Sequence, residues 1–355
     1  MSAQPQIPES PVATLVKQAT QTTGSRPPKK KLDKRTDVDR SQQIRRIVQF
    51  SFVALNVFIG IKFFIWVRYF ETSGASAYTA RPAGVEGWLP IAALMNLKYL
   101  LLTGTVPNIH PAGMFLLIAF LAMSFLLRKS FCSWLCPVGT LSEYLWKLGR
   151  RTFRRNLVFP RWLDIPLRSL KYLLLGLFVY VIVKMDPEAI AGFLSSPYGL
   201  IADVKMLNFF RFMSEAAAIT VFVLVILSIF IQNFWCRFLC PYGALMGLAS
   251  VFSPAKIRRN ESACIDCSKC AKACPSNLPV DKLVQIRSAE CTSCLECVAV
   301  CPAKDALALQ LPRKRRLSPA AVAAAIAVLF FGLVGFAKAT GHWDTKLPRA
   351  LYIQL

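Results

Sequence analysis

Eight of the twelve cysteines in this chain fall in one stretch, and their spacing already specifies a chemistry. It reads Cys264-Ile-Asp-Cys267-Ser-Lys-Cys270-Ala-Lys-Ala-Cys274-Pro275, then Cys291-Thr-Ser-Cys294-Leu-Glu-Cys297-Val-Ala-Val-Cys301-Pro302. Each run is C-x2-C-x2-C-x3-C-P, the bacterial ferredoxin spacing for two [4Fe-4S] clusters, in which the fourth cysteine of one run ligates the cluster of the other. The expectation is therefore one cluster on Cys264, Cys267, Cys270 and Cys301, and a second on Cys291, Cys294, Cys297 and Cys274. A zinc site uses four ligands and has no use for two tandem runs that each end in Cys-Pro. A disulfide scaffold belongs to small secreted domains in oxidising compartments. Lys269, Lys272 and Lys304, beside the ligands, would raise the potentials of these anionic centres.

The other four cysteines form a second pattern. Phe131-Cys132-Ser-Trp-Leu-Cys136-Pro137-Val-Gly139 aligns without a gap with Trp235-Cys236-Arg-Phe-Leu-Cys240-Pro241-Tyr-Gly243. A weaker echo upstream pairs Leu97-Lys98-Tyr99-Leu100 with Val204-Lys205-Met206-Leu207. Residues four apart on a helix share one face, with Cβ atoms about 5–6 Å apart. Two such pairs brought together present four sulfurs, which could hold a metal ion or a further iron–sulfur cluster, cycle as dithiols, or pack as small apolar groups. The prolines mark helix breaks or starts, and Gly139 and Gly243 read as turn or close-packing positions.

These motifs need elements to position them, and composition says which. The chain is 55% hydrophobic with a net charge of +24, and its basic residues cluster between long apolar segments. That is the pattern of an integral membrane protein, not of a nucleic-acid binder with a basic soluble surface. Five spans are expected: Ile47 to Val67, Pro111 to Leu127, Leu170 to Met185, Ala216 to Ile231 and Pro319 to Ala337. With these spans Lys and Arg sort to one side by roughly four to one, which places the amino terminus, the middle loop and the cluster domain in the cytoplasm. Trp88 to Thr103 is apolar but interrupted by Pro90, Asn96 and Lys98, and reads as a re-entrant or surface-lying segment on the outer face.

The fold class is thus an all-α polytopic membrane protein with a parallel internal repeat and an inserted small α+β ferredoxin-like domain. Residues 1–46 read as a disordered basic arm, 47–150 and 151–260 as the two membrane repeats, and 261–312 as the ferredoxin domain. Residues 313–355 supply a basic anchor (Arg313 to Arg316), the last span and a short outer tail. Lys147 to Arg155 reads as an interfacial segment over anionic headgroups. The two histidines, His110 and His342, fall on the outer side with Glu86, Asp203 and Glu215. They could ligate a b-type haem or take a proton from a quinol, and the plainer reading of all five is a solvated or interfacial position. No C-x-x-C-H is present, so c-type haem attachment is not expected.

With Cys132-Ser-Trp-Leu-Cys136-Pro, Cys236-Arg-Phe-Leu-Cys240-Pro and the paired ferredoxin runs in this order, the chain resembles the NapH/MauN family of membrane ferredoxin-type proteins. The same core is similar to that of the CcoG (RdxA/FixG) proteins and the membrane part of NosR. It departs from the CcoG pattern in the short segment after Ala337, and from NosR in lacking a large flavin-binding part. The resemblance implies electron transfer between the quinone pool and a respiratory or periplasmic reductase system, as a redox component or a quinol dehydrogenase subunit, with membrane lipid, a quinone and a redox protein as partners. The CcoG likeness implies the alternative, a copper reductase or assembly factor acting through Cys132, Cys136, Cys236 and Cys240.

Overall fold

The computed structural model describes residues 32–36 and 38–346, less the side chains of residues 161 and 314. In chain order the helices are α1 (Ser41–Glu71), α2 (Pro90–Thr103), α3 (Pro111–Leu127), α4 (Ser130–Trp134), α5 (Pro137–Phe153), α6 (Arg161–Lys184), α7 (Pro187–Ser195), α8 (Pro197–Leu200), α9 (Ala202–Arg211), α10 (Glu215–Phe230) and α11 (Pro241–Val251). Then come strand β1 (Lys256–Arg259), helices α12 (Lys269–Lys272) and α13 (Glu296–Ala299), strand β2 (Leu307–Gln310) and α14 (Pro319–Ala339).

Among the described residues α1, α6 and α14 are long and apolar enough to cross a membrane, and α9 with α10 forms a further candidate span bent by 80°. Helices α2 and α3 are apolar but shorter. Large apolar side chains face outward along the long helices, including Phe58, Leu173, Tyr180 and Phe331, as expected of surface that meets acyl chains. Helix α3 lies at the centre instead. It packs against α2, α11 and α14, and Ala112, Met114, Ala119 and Met123 are wholly buried. It begins at Pro111, whose missing N–H costs nothing at a helix start.

The polar residues that interrupt α2 have specific partners. Asn96 donates to the carbonyls of Ile109 and His110, and Lys98 donates to those of Ile182, Val183 and Met185 at the C-terminus of α6. An ammonium there satisfies orphan carbonyls and opposes the negative end of the helix.

The ferredoxin domain is closed by an antiparallel pairing of β1 with β2, Lys256 opposite Gln310 and Arg259 opposite Leu307. It therefore opens at residue 256, ahead of the boundary at 261 read from the sequence. The expectation of a disordered arm over residues 1–46 also needs correction where residues are described. Helix α1 starts at Ser41, Lys34 forms an antiparallel bridge with Ala303, and Arg35 N–H donates to Pro302 O at 2.9 Å. Residues 1–31 lie outside the described residues.

Candidate iron–sulfur sites

The two ferredoxin runs share an unusual backbone. Asp266 and Ser268 flank Cys267, Ser293 and Leu295 flank Cys294, and all four have φ between 53° and 60°. Side chains rarely adopt this left-handed region, so its use at equivalent places curls each run around a centre of its own. The sequence-assigned ligands gather accordingly. Cys301 lies within electrostatic range of Cys267 and Cys264, and Cys270 within range of Cys301 and Cys264. Cys274, Cys291, Cys294 and Cys297 line one cavity, walled by apolar groups such as Ile257 and Leu278. Thiolates converging in an apolar enclosure suit an iron–sulfur cluster, so the residues fit the group. Burial pushes the Cys270 thiol up to about 11 and that of Cys294 to about 12, so a bound metal must displace their protons.

The two sites differ in exposure. Cys267 is exposed, whereas Cys274 and Cys297 are buried where the domain meets the helices. A buried ion network ties that inner site down. Arg45, 1% exposed, binds Glu143 at 2.6 Å and Glu296 at 3.0 Å, and Lys147 binds the same two carboxylates at 2.6 and 3.0 Å. Burial alone would raise the Glu143 carboxyl; the Arg45 and Lys147 cations outweigh it and hold it at about 2. Gln42 Nε2 donates to Cys294 O at 3.0 Å, Trp134 Nε1 to Ser293 O at 3.1 Å, and Ser133 Oγ to Thr292 O at 2.6 Å. Helices α1 and α4 therefore grip the backbone that carries Cys291 and Cys294.

The two C-x3-C-P motifs have matching geometry. Cys136 N–H donates to Phe131 O and Cys240 N–H to Trp235 O, both at 3.0 Å and five residues back, the signature of a π-type turn often found at functional sites. Each second cysteine then caps the next helix. Cys136 Sγ accepts from Gly139 N–H at 3.4 Å, and Cys240 Sγ from Gly243 N–H at 3.2 Å. The four thiols are mutually within electrostatic range, Cys236 with Cys240, Cys136 and Cys132, and Cys136 with Cys132 and Cys240. The glycines differ: a Cβ at Gly139 would collide with Cys132 O, whereas at Gly243 the nearest atom is 3.5 Å away. Gly139 is a close-packing position as expected; Gly243 is not.

A cavity joins these motifs to the inner ferredoxin site. Cys132 and Cys236 line it together with Cys294, Lys129, Arg237 and Glu290. Glu290 binds Lys171 at 2.6 Å and Tyr172 OH at 3.0 Å, and Asp164 binds both Arg237 and Arg168 at 2.6 Å. Sequence reasoning missed Arg45, Lys129, Glu143, Glu290 and Glu296. A signal was available, since Glu290 and Glu296 each precede a ligand-type cysteine and Gln42, Arg45 and Gln49 make a polar stripe at the head of an apolar helix.

At the far ends of the helices the five outer candidates separate. Glu86 and Asp203 are 0% exposed, which corrects the solvated reading. Arg81 binds Glu86 at 2.8 Å and Asp203 at 2.7 Å, and Thr345 Oγ1 donates to Glu86 at 2.6 Å. His110 Nε2 donates to Gly199 O at 2.9 Å and Nδ1 lies 3.4 Å from Glu86 Oε1. Both ring nitrogens are engaged, which does not suit a haem ligand. Glu215 is exposed in the first turn of α10, and His342 is half-buried.

The family described as a 4Fe-4S binding domain matches residues 109–156 and again 216–260, each match containing one C-x3-C-P motif; the 4Fe-4S dicluster domain family matches residues 256–302. The chain is 52% identical over 317 residues to the Escherichia coli (strain K12) protein YccM, provisionally assigned to electron transport, covering 88% of this chain and 89% of YccM. It is 29% identical over 150 residues to the methylamine utilization ferredoxin-type protein MauN of Paracoccus denitrificans (strain Pd 1222), covering 41% of this chain and 48% of MauN. It is 31% identical over 175 residues to the regulatory protein NosR of Pseudomonas aeruginosa, covering 45% of this chain and 22% of NosR. No solved structure matches it.

Proposed function

This chain belongs to the MauN/NapH-type family of membrane ferredoxin proteins and works in iron–sulfur electron transfer, and from that premise we propose that it exchanges electrons between the quinone pool and a respiratory or periplasmic reductase system. The assignment of Cys264, Cys267, Cys270 and Cys301 to one cluster and of Cys291, Cys294, Cys297 and Cys274 to the other belongs to the same reading. So does a cytoplasmic ferredoxin domain on a twofold repeated core of about five spans in the bacterial inner membrane. When bound, the clusters supply one-electron carriers that need no proton.

The observation that carries this reading is the docking. A soluble carrier would leave both sites equally accessible, but here one is sealed against the helices by the Arg45 network and by Trp134, while the other presents Cys267 to solvent. Arg45, buried beside Cys294, favours the thiolate there, with Glu296 opposing it. The test is an anaerobic EPR titration of the purified full chain with a quinol analogue. Cluster reduction that saturates with the analogue supports the reading. Clusters that respond to dithionite but never to a quinol or quinone would sink the quinone part of it.

A further inference from the structure

We propose that Cys132, Cys136, Cys236 and Cys240 together ligate a third iron–sulfur cluster, set between the inner ferredoxin site and the interior of the helix bundle. This rests on the reading of the chain as an iron–sulfur electron carrier. Three observations support it independently of the spacing.

The first is convergence. Four half-buried thiols from two distant stretches lie within mutual electrostatic range, and both pairs are displayed by the same device, a π-type turn followed by a sulfur-capped helix that begins with proline. Among the described residues no three His, Cys, Asp or Glu side chains approach closely enough for a single metal ion, at these cysteines or at the ferredoxin ones. Sulfurs around one tetrahedral ion at about 2.3 Å would have to crowd together. A cluster is a larger body and holds its thiolates further apart.

The second is charge. Lys129, 3% exposed, faces Cys132, Cys236 and Cys240, and its carboxylate neighbour Glu290 is 3.9 Å away and already bound by Lys171. Arg237 and Arg168 share Asp164. Four cations thus face two carboxylates, leaving about two positive charges beside the thiols. An oxidised cluster with four thiolates carries about two negative charges, so it would close the count, whereas four neutral thiols would not.

The third is position. Cys132 and Cys236 line the same cavity as Cys294. An electron passing between the inner ferredoxin cluster and this centre oxidises one as it reduces the other, with no bond made and no proton moved. That arrangement gives the C-x3-C-P motifs a role that neither a dithiol nor a packing function would need.

The experiment is iron and acid-labile sulfide analysis with an EPR redox titration of the anaerobically purified full chain, compared with the variant Cys132→Ser/Cys136→Ser/Cys236→Ser/Cys240→Ser. The expected result is iron above the eight or so atoms of two four-iron clusters, about ten or about twelve according to the size of the third, with the excess lost in the variant and the ferredoxin signals kept. Wild-type iron that stops at about eight, or copper in place of the excess, would overturn the proposal and leave the two-cluster reading standing. Absence of the ferredoxin signals from the wild type would overturn both. If the quadruple variant does not fold, Lys129→Gln serves. It keeps all ligands, and it should lower the midpoint of the third signal while leaving the outer ferredoxin signal in place; a midpoint that does not move counts against the proposal.

Discussion

Arg45 Nη2 stands 2.6 Å from Glu143 Oε1, both residues buried, which makes the head of the first helix a structural part of the ferredoxin docking surface. Removing the guanidinium leaves the Glu143 carboxylate near Glu296 with Lys147 as the cation they share and Gln49 as a neutral donor to Glu143. Breaking a buried pair by deleting one partner costs about 3–5 kcal/mol. Arg45→Gln is expected to raise hydrogen exchange across residues 291–297 and to lower the potential of the inner cluster. Unchanged exchange there would show that the hydrogen bonds of Trp134 and Ser133 suffice.

The two motif glycines give a paired test. Gly139→Ala places a methyl group against the Cys132 carbonyl in a turn that cannot open without moving a cysteine, whereas Gly243→Ala meets only ordinary contacts. The first should lower the unfolding midpoint in detergent and disturb whatever the four cysteines hold; the cost is on the order of 1–3 kcal/mol, as for other overpacked sites. The second should behave as wild type. Equal behaviour of the two variants would contradict the difference between the motifs.

The far-side cluster predicts a pH dependence. Burial alone would lower the His110 pKa, but the bond to Glu86 and the charges of Glu86 and Asp203 outweigh both burial and Arg81 and raise it above its ordinary value. A raised folded pKa contributes stability that is complete below the unfolded value of about 6.5 and is lost as pH climbs through the folded value. Glu86 is held below the usual carboxylate range, so it stays ionised throughout. Thermal stability measured from pH 6 to 9 should therefore fall with rising pH, and His110→Gln should flatten the slope. A wild-type profile as flat as the variant's would rule the coupling out.

Exposure distinguishes the two proposed ferredoxin sites. Cys267 is exposed, while Cys274 and Cys297 are buried. Under a slow chelator or mild oxidant the cluster on Cys264, Cys267, Cys270 and Cys301 should disappear first, leaving the signal of its inner neighbour. Simultaneous loss, followed by EPR amplitude against time, would mean that the domain opens as one unit.

What could be read in the sequence was what local spacing dictates. Each ferredoxin run announces its cysteine spacing within a dozen residues, and α3 starts at the expected Pro111 because proline fixes both the backbone and the missing donor. Membrane hydropathy found the helices but not their ends: Ser41 starts α1 because Arg45 and Gln49 are satisfied by Glu143 and Ser133, partners some ninety residues away. The same long separation hid the cavity network. Glu290, Lys171 and Lys129 look unrelated until the chain folds them together. Glu86 and Asp203 read as solvated groups in the sequence because Arg81, although near Glu86, joins the two carboxylates across 122 residues of chain.

The bridge from Lys34 to Ala303 and the Arg35 contact with Val298 span about three quarters of the chain, the latter across 263 residues. Translation makes the first half of this seam long before the second. The opening segment must therefore wait, with Arg45 still lacking Glu296, while every intervening helix is made. Closing so long a loop is slow, because its entropy must be met before the contact repays it. The ferredoxin domain consequently spends its earliest moments unlatched, and that interval, before the amino-terminal strap closes over the second Cys-Pro turn, is when its sites are most open to the machinery that delivers iron and sulfide.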